Sequence, residues 1–213
     1  MKHTLIFPLV LLSFLSSPAE SQSLMRNYGF KVAITSSDQS FDYAYPFDNQ
    51  TIRRVGFAVG GYVEWFDFQY FTLVTQAEYV QKGRGLRLAV TGEGGPTIIG
   101  YGDFYSRLDY LSVPILLKFL LPGQTLTPFL LVGPRADFLL GHSSDENIFG
   151  SLYDDFKKTS IGGTIGLGTE IKGLLPVGVV AEARYNLDLA DSYSTQILKV
   201  RNNSFDFWLG IQL

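Results

Sequence analysis

The strongest constraint on this chain is an alternation of apolar and polar residues with a period of two. Successive side chains of a β-strand point to opposite faces, so such alternation is typical of strands that have one apolar and one polar face. It recurs in eight segments, at residues 30–35, 55–65, 71–80, 110–119, 129–140, 161–172, 179–188 and 205–213. The pattern predicts an all-β protein of eight strands.

The two faces of these segments differ in size as well as in polarity. Along residues 55–65, Phe57 and Val59 share one face, whereas Gly56 and Gly60 share the other. Bulky side chains fit the outside of a narrow barrel better than its inside. We therefore expect the apolar side chains to face lipid and the glycine-rich face to line the lumen. A secreted soluble barrel, with its apolar face turned inward, is the alternative.

The connections between the segments alternate in length. Long connections cover residues 36–53, 84–103, 141–159 and 189–203, and short ones cover 66–70, 120–126 and 173–176. Long loops at one rim and tight turns at the other are typical of outer-membrane barrels, which have an even number of strands. An open sheet edge would leave backbone groups unpaired in lipid. The predicted fold is therefore a closed, eight-stranded, antiparallel up-and-down transmembrane β-barrel.

The first residues have the organisation of an export signal. A short basic start, Met1 to His3, precedes twelve mostly apolar residues at 4–15, and Ala19 and Ser21 then offer small residues for cleavage. Twelve residues are too few for a membrane-spanning helix. The sequence predicts a signal peptide over residues 1–21 and a barrel domain over 22–213, located in the bacterial outer membrane.

Composition excludes several classes of function. The chain has no cysteine, which rules out disulfides, thiolate metal sites and a cysteine nucleophile. Its net charge of −3 without basic clusters argues against nucleic-acid binding. Only two histidines occur, His3 and His142, so we expect no metal site and no cofactor.

Charged residues on the polar faces are predicted to fill the lumen. An eight-stranded barrel encloses just enough space for side chains or one small ligand. The predicted lumen residues are Lys31, Glu64, Glu78, Lys118, Arg135, Asp137, Glu170, Lys172, Glu182, Arg184, Asp188 and Asp206. Five cations and seven anions predict a network of ion pairs that plugs the barrel, since buried charges persist when paired. Its centre is expected at Glu182 with Arg184 and at Arg135 with Asp137. A narrow channel for small solutes is the alternative.

Aromatic residues in the long connections are candidates for contact with a partner. Exposed apolar patches commonly mark interaction surfaces. The predicted contact residues are Phe41, Tyr43, Tyr45, Phe47, Phe149 and Tyr153. The partner would be an unknown extracellular or secretion-related protein.

One loop contains the residue types of a hydrolytic site. The run His142-Ser143-Ser144-Asp145-Glu146 resembles, loosely, the His-x-Ser of outer-membrane lipid A deacylases, which would make the chain a lipid A-modifying hydrolase. These residues are also ordinary in a polar surface loop, and sequence neighbours rarely form a triad. We therefore predict a non-enzymatic protein with no catalytic residue.

Five stretches together resemble a known family. They are Gly29-Phe30-Lys31, EYVQKG at residues 78–83, YLSVPILLK at 110–118, PFLLVGP at 128–134 and EARYNLDL at 182–189. The chain resembles the porin-family outer-membrane barrels typified by PorT of Bacteroidota-type bacteria. The resemblance implies outer-membrane lipid and the barrel assembly machinery as partners, no defined enzymatic activity and, in some members, a role in secretion. Such barrels usually end in phenylalanine, whereas this chain ends in Leu213.

Overall fold

The computed structural model describes residues 24–43, 51–91, 98–144, 153–173, 176–196 and 198–213. The predicted signal peptide, residues 1–21, lies outside these ranges. The strands are β1 (Met25–Tyr43), β2 (Thr51–Trp65), β3 (Phe71–Thr91), β4 (Ile98–Leu120), β5 (Leu126–Ser144), β6 (Thr159–Ile171), β7 (Gly178–Asp188), β8 (Tyr193–Ser194) and β9 (Leu198–Gln212). Within the described ranges, no helix is long and apolar enough to cross a membrane.

The strands pair in chain order and return to the first. Each strand from β1 to β6 is antiparallel to the next, and β9 pairs with both β7 and β1. On β1, Val32 lies opposite Val59 of β2 on one side and opposite Leu209 of β9 on the other. The two-residue β8 pairs with the start of β9, at Lys199 and Val200. The predicted antiparallel up-and-down fold of eight main strands is confirmed.

The orientation of the strands also follows the prediction. Leu167 and Leu209 point outward and are 61% and 58% exposed, whereas Glu182 and Arg184 are buried inside. A sheet whose bulky apolar side chains face outward needs an apolar surrounding, because exposing them to water is unfavourable. The outer face therefore matches the hydrocarbon of a membrane.

Several strands continue well past their predicted ends. The alternation predicted a first strand at residues 30–35, but β1 runs from Met25 to Tyr43. Likewise β3 reaches Thr91 and β4 begins at Ile98, so the predicted long connection at 84–103 is mostly strand. The outward side of a strand needs apolar residues only where it meets lipid. Beyond that zone the strands continue without the alternation that would reveal them.

The short connections, with described residues 66–70, 121–125, 172–173 and 176–177, lie at one end of the barrel, together with the start of β1 and the end of β9. We call this the periplasmic end and the opposite end extracellular, following the pattern of outer-membrane barrels. The turn after β2 is aromatic, with Phe68 stacked on Phe71 at 4.7 Å between ring centroids. Aromatic residues at such a position are typical of the membrane–water interface.

Candidate functional site: the charged lumen

Ion pairs occupy the lumen in three clusters along the barrel. The periplasmic cluster consists of Arg26, Glu64, Lys118 and Glu170. The central cluster consists of Lys31, Glu78, Glu182 and Arg184. The extracellular cluster consists of Lys82, Arg135, Asp137 and Asp188.

Lys118 holds the periplasmic cluster together. Its Nζ donates hydrogen bonds to Glu64 Oε1 at 2.5 Å and to Glu170 Oε1 at 2.6 Å. The Arg26 guanidinium lies 3.9 Å from Glu64 Oε2 and 3.6 Å from Glu170 Oε2. Arg26 also contacts Asp67 of the first turn at 3.3 Å. The ion pairs therefore connect the lumen to a periplasmic turn.

Arg184 holds the central cluster together. Its guanidinium contacts the Glu182 carboxylate, and its Nη1 donates to Glu78 Oε1 at 3.0 Å. Lys31 Nζ approaches Glu182 Oε2 to 3.3 Å and lies 5.3 Å from the centre of the Trp208 ring. A cation over an aromatic face gains from the charge distribution of the ring. All these ionic groups are buried, and each has an oppositely charged neighbour.

In the extracellular cluster, two cations meet two carboxylates. Lys82 Nζ donates to Asp137 Oδ2 at 2.6 Å, and Arg135 Nε donates to the same oxygen at 3.0 Å. Arg135 Nη2 donates to Asp188 Oδ1 at 2.7 Å. The hydroxyl of Ser192, from the loop after β7, donates to Asp188 Oδ2 at 3.0 Å. This loop is therefore tied to the lumen.

Glycines on the inner face make room for the ionic side chains. A Cβ atom at Gly166 would lie 2.8 Å from the backbone oxygen of Ala183 and 2.9 Å from Cγ of Arg184. One at Gly60 would lie 2.6 Å from the backbone oxygen of Ala77 and 2.8 Å from Cγ of Glu78. A larger residue at either position would therefore clash with both the neighbouring strand and its charged side chain. The glycine-rich face predicted from the sequence is thus the lumen surface against which the ion-paired side chains pack.

An apolar layer lies inside the barrel above the extracellular cluster. This apolar cap consists of Leu108, Tyr110, Tyr153, Phe156 and Val200, all buried. The Tyr153 and Phe156 rings are 4.9 Å apart, and the Tyr153 hydroxyl donates to Gln39 Oε1 at 3.0 Å. Residues 153–158, the described part of the segment between β5 and β6, therefore fold into the mouth of the barrel.

A family match agrees with this architecture. Residues 19–194, most of the chain, match the model of the family described as outer membrane protein beta-barrel domain. The chain belongs to this family. The bacterial outer membrane is therefore its location, and the outward apolar face of the barrel is its lipid-facing surface. No curated protein matches the chain.

Solved structures similar to this family member are small outer-membrane proteins. Ail, the attachment invasion locus protein of Yersinia pestis, is 12% identical, with 88% of this chain and 98% of that chain covered and a TM-score of 0.40. OprG of Pseudomonas aeruginosa is 12% identical, with 88% and 93% covered and a TM-score of 0.48. Neisserial surface protein A is 14% identical, with 91% and 100% covered and a TM-score of 0.45.

Of the twelve residues predicted to line the lumen of this outer-membrane barrel, eleven are buried in it. Lys172 is the exception and corrects the prediction. Its side chain is 51% exposed, and its Nζ lies 3.7 Å from Glu170 Oε2 at the rim. Inward and outward side chains alternate only within the strand, and β6 ends at Ile171. Lys172 lies one residue beyond that end, so the alternation does not place it in the lumen.

Sequence reasoning missed three cations of the lumen. Lys82 and Arg84 are buried, and Arg26 is nearly so. The third strand was predicted to end at residue 80, but the even-numbered positions continue inward through Gln76 and Glu78 to Lys82 and Arg84. Extending the same alternation beyond residue 80 would have identified Lys82 and Arg84 as inward-facing residues.

The predicted external contact residues need correction. Tyr153 is only 1% exposed and belongs to the apolar cap. Phe41 is half-buried, and its ring centre lies 3.8 Å from the Arg84 guanidinium carbon. Both rings turn inward because the extended barrel offers them an apolar site above the charges. The remaining predicted contacts, the side chains of Tyr43, Tyr45, Phe47 and Phe149, lie outside the described part of the chain.

The hydrolase alternative centred on His142. Its Nε2 lies 3.1 Å from Asp154 Oδ1 on the exposed surface. Ser144 is 3.4 Å from Ser106, and Asp145 lies outside the described residues. The described residues thus bring one carboxylate, Asp154, next to the His142 imidazole.

Proposed function

We propose that this outer-membrane barrel is a non-enzymatic structural and interaction protein with a plugged lumen. The observation that carries the proposal is the stack of three ion-pair clusters beneath an apolar cap. Removing charges from water is costly, and the cost is offset only when partners lie within contact distance. The three ion-pair clusters of this chain meet that condition, and such packing leaves little space for solutes.

The balance of charge supports a plug. In the described part of the chain, the buried cations are Lys31, Lys82, Arg84, Lys118, Arg135 and Arg184, and the buried anions are Glu64, Glu78, Asp137, Glu170, Glu182, Asp188 and Asp206. Arg26 adds a seventh cation at the periplasmic end. A conducting pore lined by one sign of charge would lack this balance.

The extracellular end offers a surface for a partner. In the described residues, the pairing of β3 with β2 extends as far as Leu86, and the pairing of β4 with β5 extends as far as Ser106. Beyond these points β3 and β4 form a two-stranded ribbon, in which Ile99 and Tyr101 are each 70% exposed. Exposed apolar residues on a ribbon outside the membrane support contact with a protein, and the PorT-like resemblance favours one linked to secretion. Outer-membrane lipid and the barrel assembly machinery complete the proposed partners.

Electrical recordings test the plug directly. Purified wild-type protein in planar bilayers should give no steady conductance. A double variant, Glu182→Ala with Arg184→Ala, removes two of the four charged side chains of the central cluster and should show whether the recordings detect an opened lumen. Steady ohmic current through the wild-type protein would overturn the proposal.

A narrow channel for small solutes is the second candidate, and polar atoms of the lumen favour it. Thr35 Oγ1, Asp206 Oδ1 and Trp208 Nε1 are buried and have no hydrogen-bond partner among the described residues. Thr35 and Asp206 are direct partners on β1 and β9. Buried polar atoms of this kind are commonly satisfied by water, which would give a hydrated path. A small, steady current in the bilayer experiment would support this candidate.

The absence of enzymatic activity is also a proposal, and lipid A analysis tests it. Cells that express wild-type protein and cells that express His142→Ala should give the same lipid A profile. Loss of an acyl chain that depends on His142 would contradict the proposal and support the hydrolase alternative.

A further inference from the structure

An open groove lies on the outer wall of the barrel, across β1, β2 and β3. Its volume is about 570 Å³, and Met25, Phe30, Gly61, Val63 and Ala77 contribute to its lining. Phe30, Gly61 and Ala77 are direct partners on the three strands. The Phe30 side chain forms one side of the groove, whereas Gly61 has no side chain and Ala77 has only a methyl group. The groove is therefore a gap in the bulky outer layer.

The depth of the groove in the membrane follows from its neighbours. Met25 and Tyr28, at the start of β1, line its periplasmic end. The adjacent Trp65 indole donates to Thr75 Oγ1 at 2.8 Å, and Trp65 directly precedes the aromatic turn. Tryptophan and tyrosine favour the membrane interface. The groove thus runs from the periplasmic interface into the hydrocarbon region.

We propose that this groove binds one acyl chain of a phospholipid from the inner leaflet of the outer membrane. Its position fixes the chemistry, because the hydrocarbon region presents acyl chains to the protein surface. Its shape favours a chain over a second barrel, since bulky exposed side chains beside the gap, such as Phe30 and Val59, would hold another barrel away from its floor. A flexible acyl chain can follow a gap that is one residue wide.

A single substitution can fill the groove without disturbing the wall. A Cβ atom at Gly61 would lie 3.6 Å from Cε1 of Phe30, an ordinary van der Waals distance. Gly61→Leu should therefore fold and occupy the space of the acyl chain. Val59→Leu is the matched control, because Val59 lies on the same face of the same strand but outside the groove lining. Ala77→Leu fills the groove from the neighbouring strand and serves as the second test variant.

Native mass spectrometry of protein extracted in mild detergent measures the bound phospholipid. Wild type and Val59→Leu should retain the same number of phospholipids per barrel, and Gly61→Leu and Ala77→Leu should each retain one fewer. Heat-dependent mobility on a detergent gel checks that each variant is folded. Equal retention by folded groove variants would overturn the proposal, as would a wild-type protein that retains none. A wild-type dimer that the groove variants convert to monomers would instead identify a second copy as the occupant, and would also overturn it.

Discussion

The membrane-spanning and extracellular parts of the same strands follow different rules. In the membrane-spanning part, side chains alternate strictly because lipid lies on one side and paired charges lie on the other. In the extracellular part, which includes β1 from residue 36 and β3 from residue 84, the lumen changes from ion pairs to an apolar cap. The outer face there meets water. Alternation of apolar and polar residues therefore indicates which environments the two faces of a strand meet, and the loss of alternation does not mark the end of the strand.

Ion pairs also differ between the two parts. Arg184 in the lumen is buried between Glu182 and Glu78, whereas Arg87 on the ribbon pairs with Asp103 in solvent. Breaking a buried pair strands a charge in a poorly solvated site, but an exposed pair is screened by water. The same type of contact should thus have very different energetic weight.

The largest expected effect comes from Arg184→Ala. It leaves Glu182 and Glu78 buried without their main cation, so we expect the free energy of unfolding to fall by about 3–5 kcal/mol. Urea unfolding in detergent, followed by tryptophan fluorescence, measures the change. Arg87→Ala, the matched control in the exposed pair, should leave the midpoint unchanged. Equal unfolding midpoints for wild type and Arg184→Ala would contradict the expected difference in stability between the buried and the exposed ion pairs.

A smaller effect is expected from Gly166→Val, which places a side chain beneath Arg184. Overpacking typically costs about 1–3 kcal/mol, and here it would push the central ion pairs apart. Gly163→Val is the control on the same strand, because a Cβ at Gly163 has no atom within 4 Å. The same unfolding assay should separate the two variants. If both are equally destabilised, the inner glycines do not serve the ion pairs.

Tyr153→Ala should act on the extracellular part alone. It removes a ring and a hydroxyl from the apolar cap and should release the segment around Phe156 from the mouth. Limited proteolysis of intact cells should then cut this segment faster than in wild type, while the unfolding midpoint of the barrel changes little. Tyr153→Phe, which keeps the ring, is the control and should resist cleavage. Unchanged cleavage of Tyr153→Ala would show that the cap does not hold the segment.

The smallest expected effect is the pH dependence of the ribbon. The Arg87 guanidinium beside Asp103 holds the pKa of that carboxyl below its usual range. A carboxyl with a lowered pKa contributes stability above its ordinary pKa of about 3.9, and loses it as the pH falls through the lowered value. Amide exchange of the ribbon, corrected for intrinsic rates, should be constant from about pH 5 to 8 and should rise only below about pH 4. Asp103→Asn should abolish this acid-dependent rise; its persistence would place the cause elsewhere.

Much of the fold and part of the lumen could be predicted from the sequence. Parity along each strand assigns a residue to a face, so the inward positions of Glu64, Glu170 and Glu182 follow from local pattern alone. Parity does not say which charges meet across the lumen. Lys82 reaches Asp137 from β3 to β5, and Lys31 reaches Glu182 from β1 to β7, between strands that are not neighbours in the sheet.

The sequence by itself determined the strand count, the lipid-facing side and the charged character of the interior, because each depends on a period of two. Only the tertiary structure decided the ion-pair partners, the inward position of Tyr153 and the exposure of Lys172. These depend on where strands end and how the ring closes. Contacts across a closed barrel join residues that lie far apart in the chain, and no local pattern encodes the distance between them.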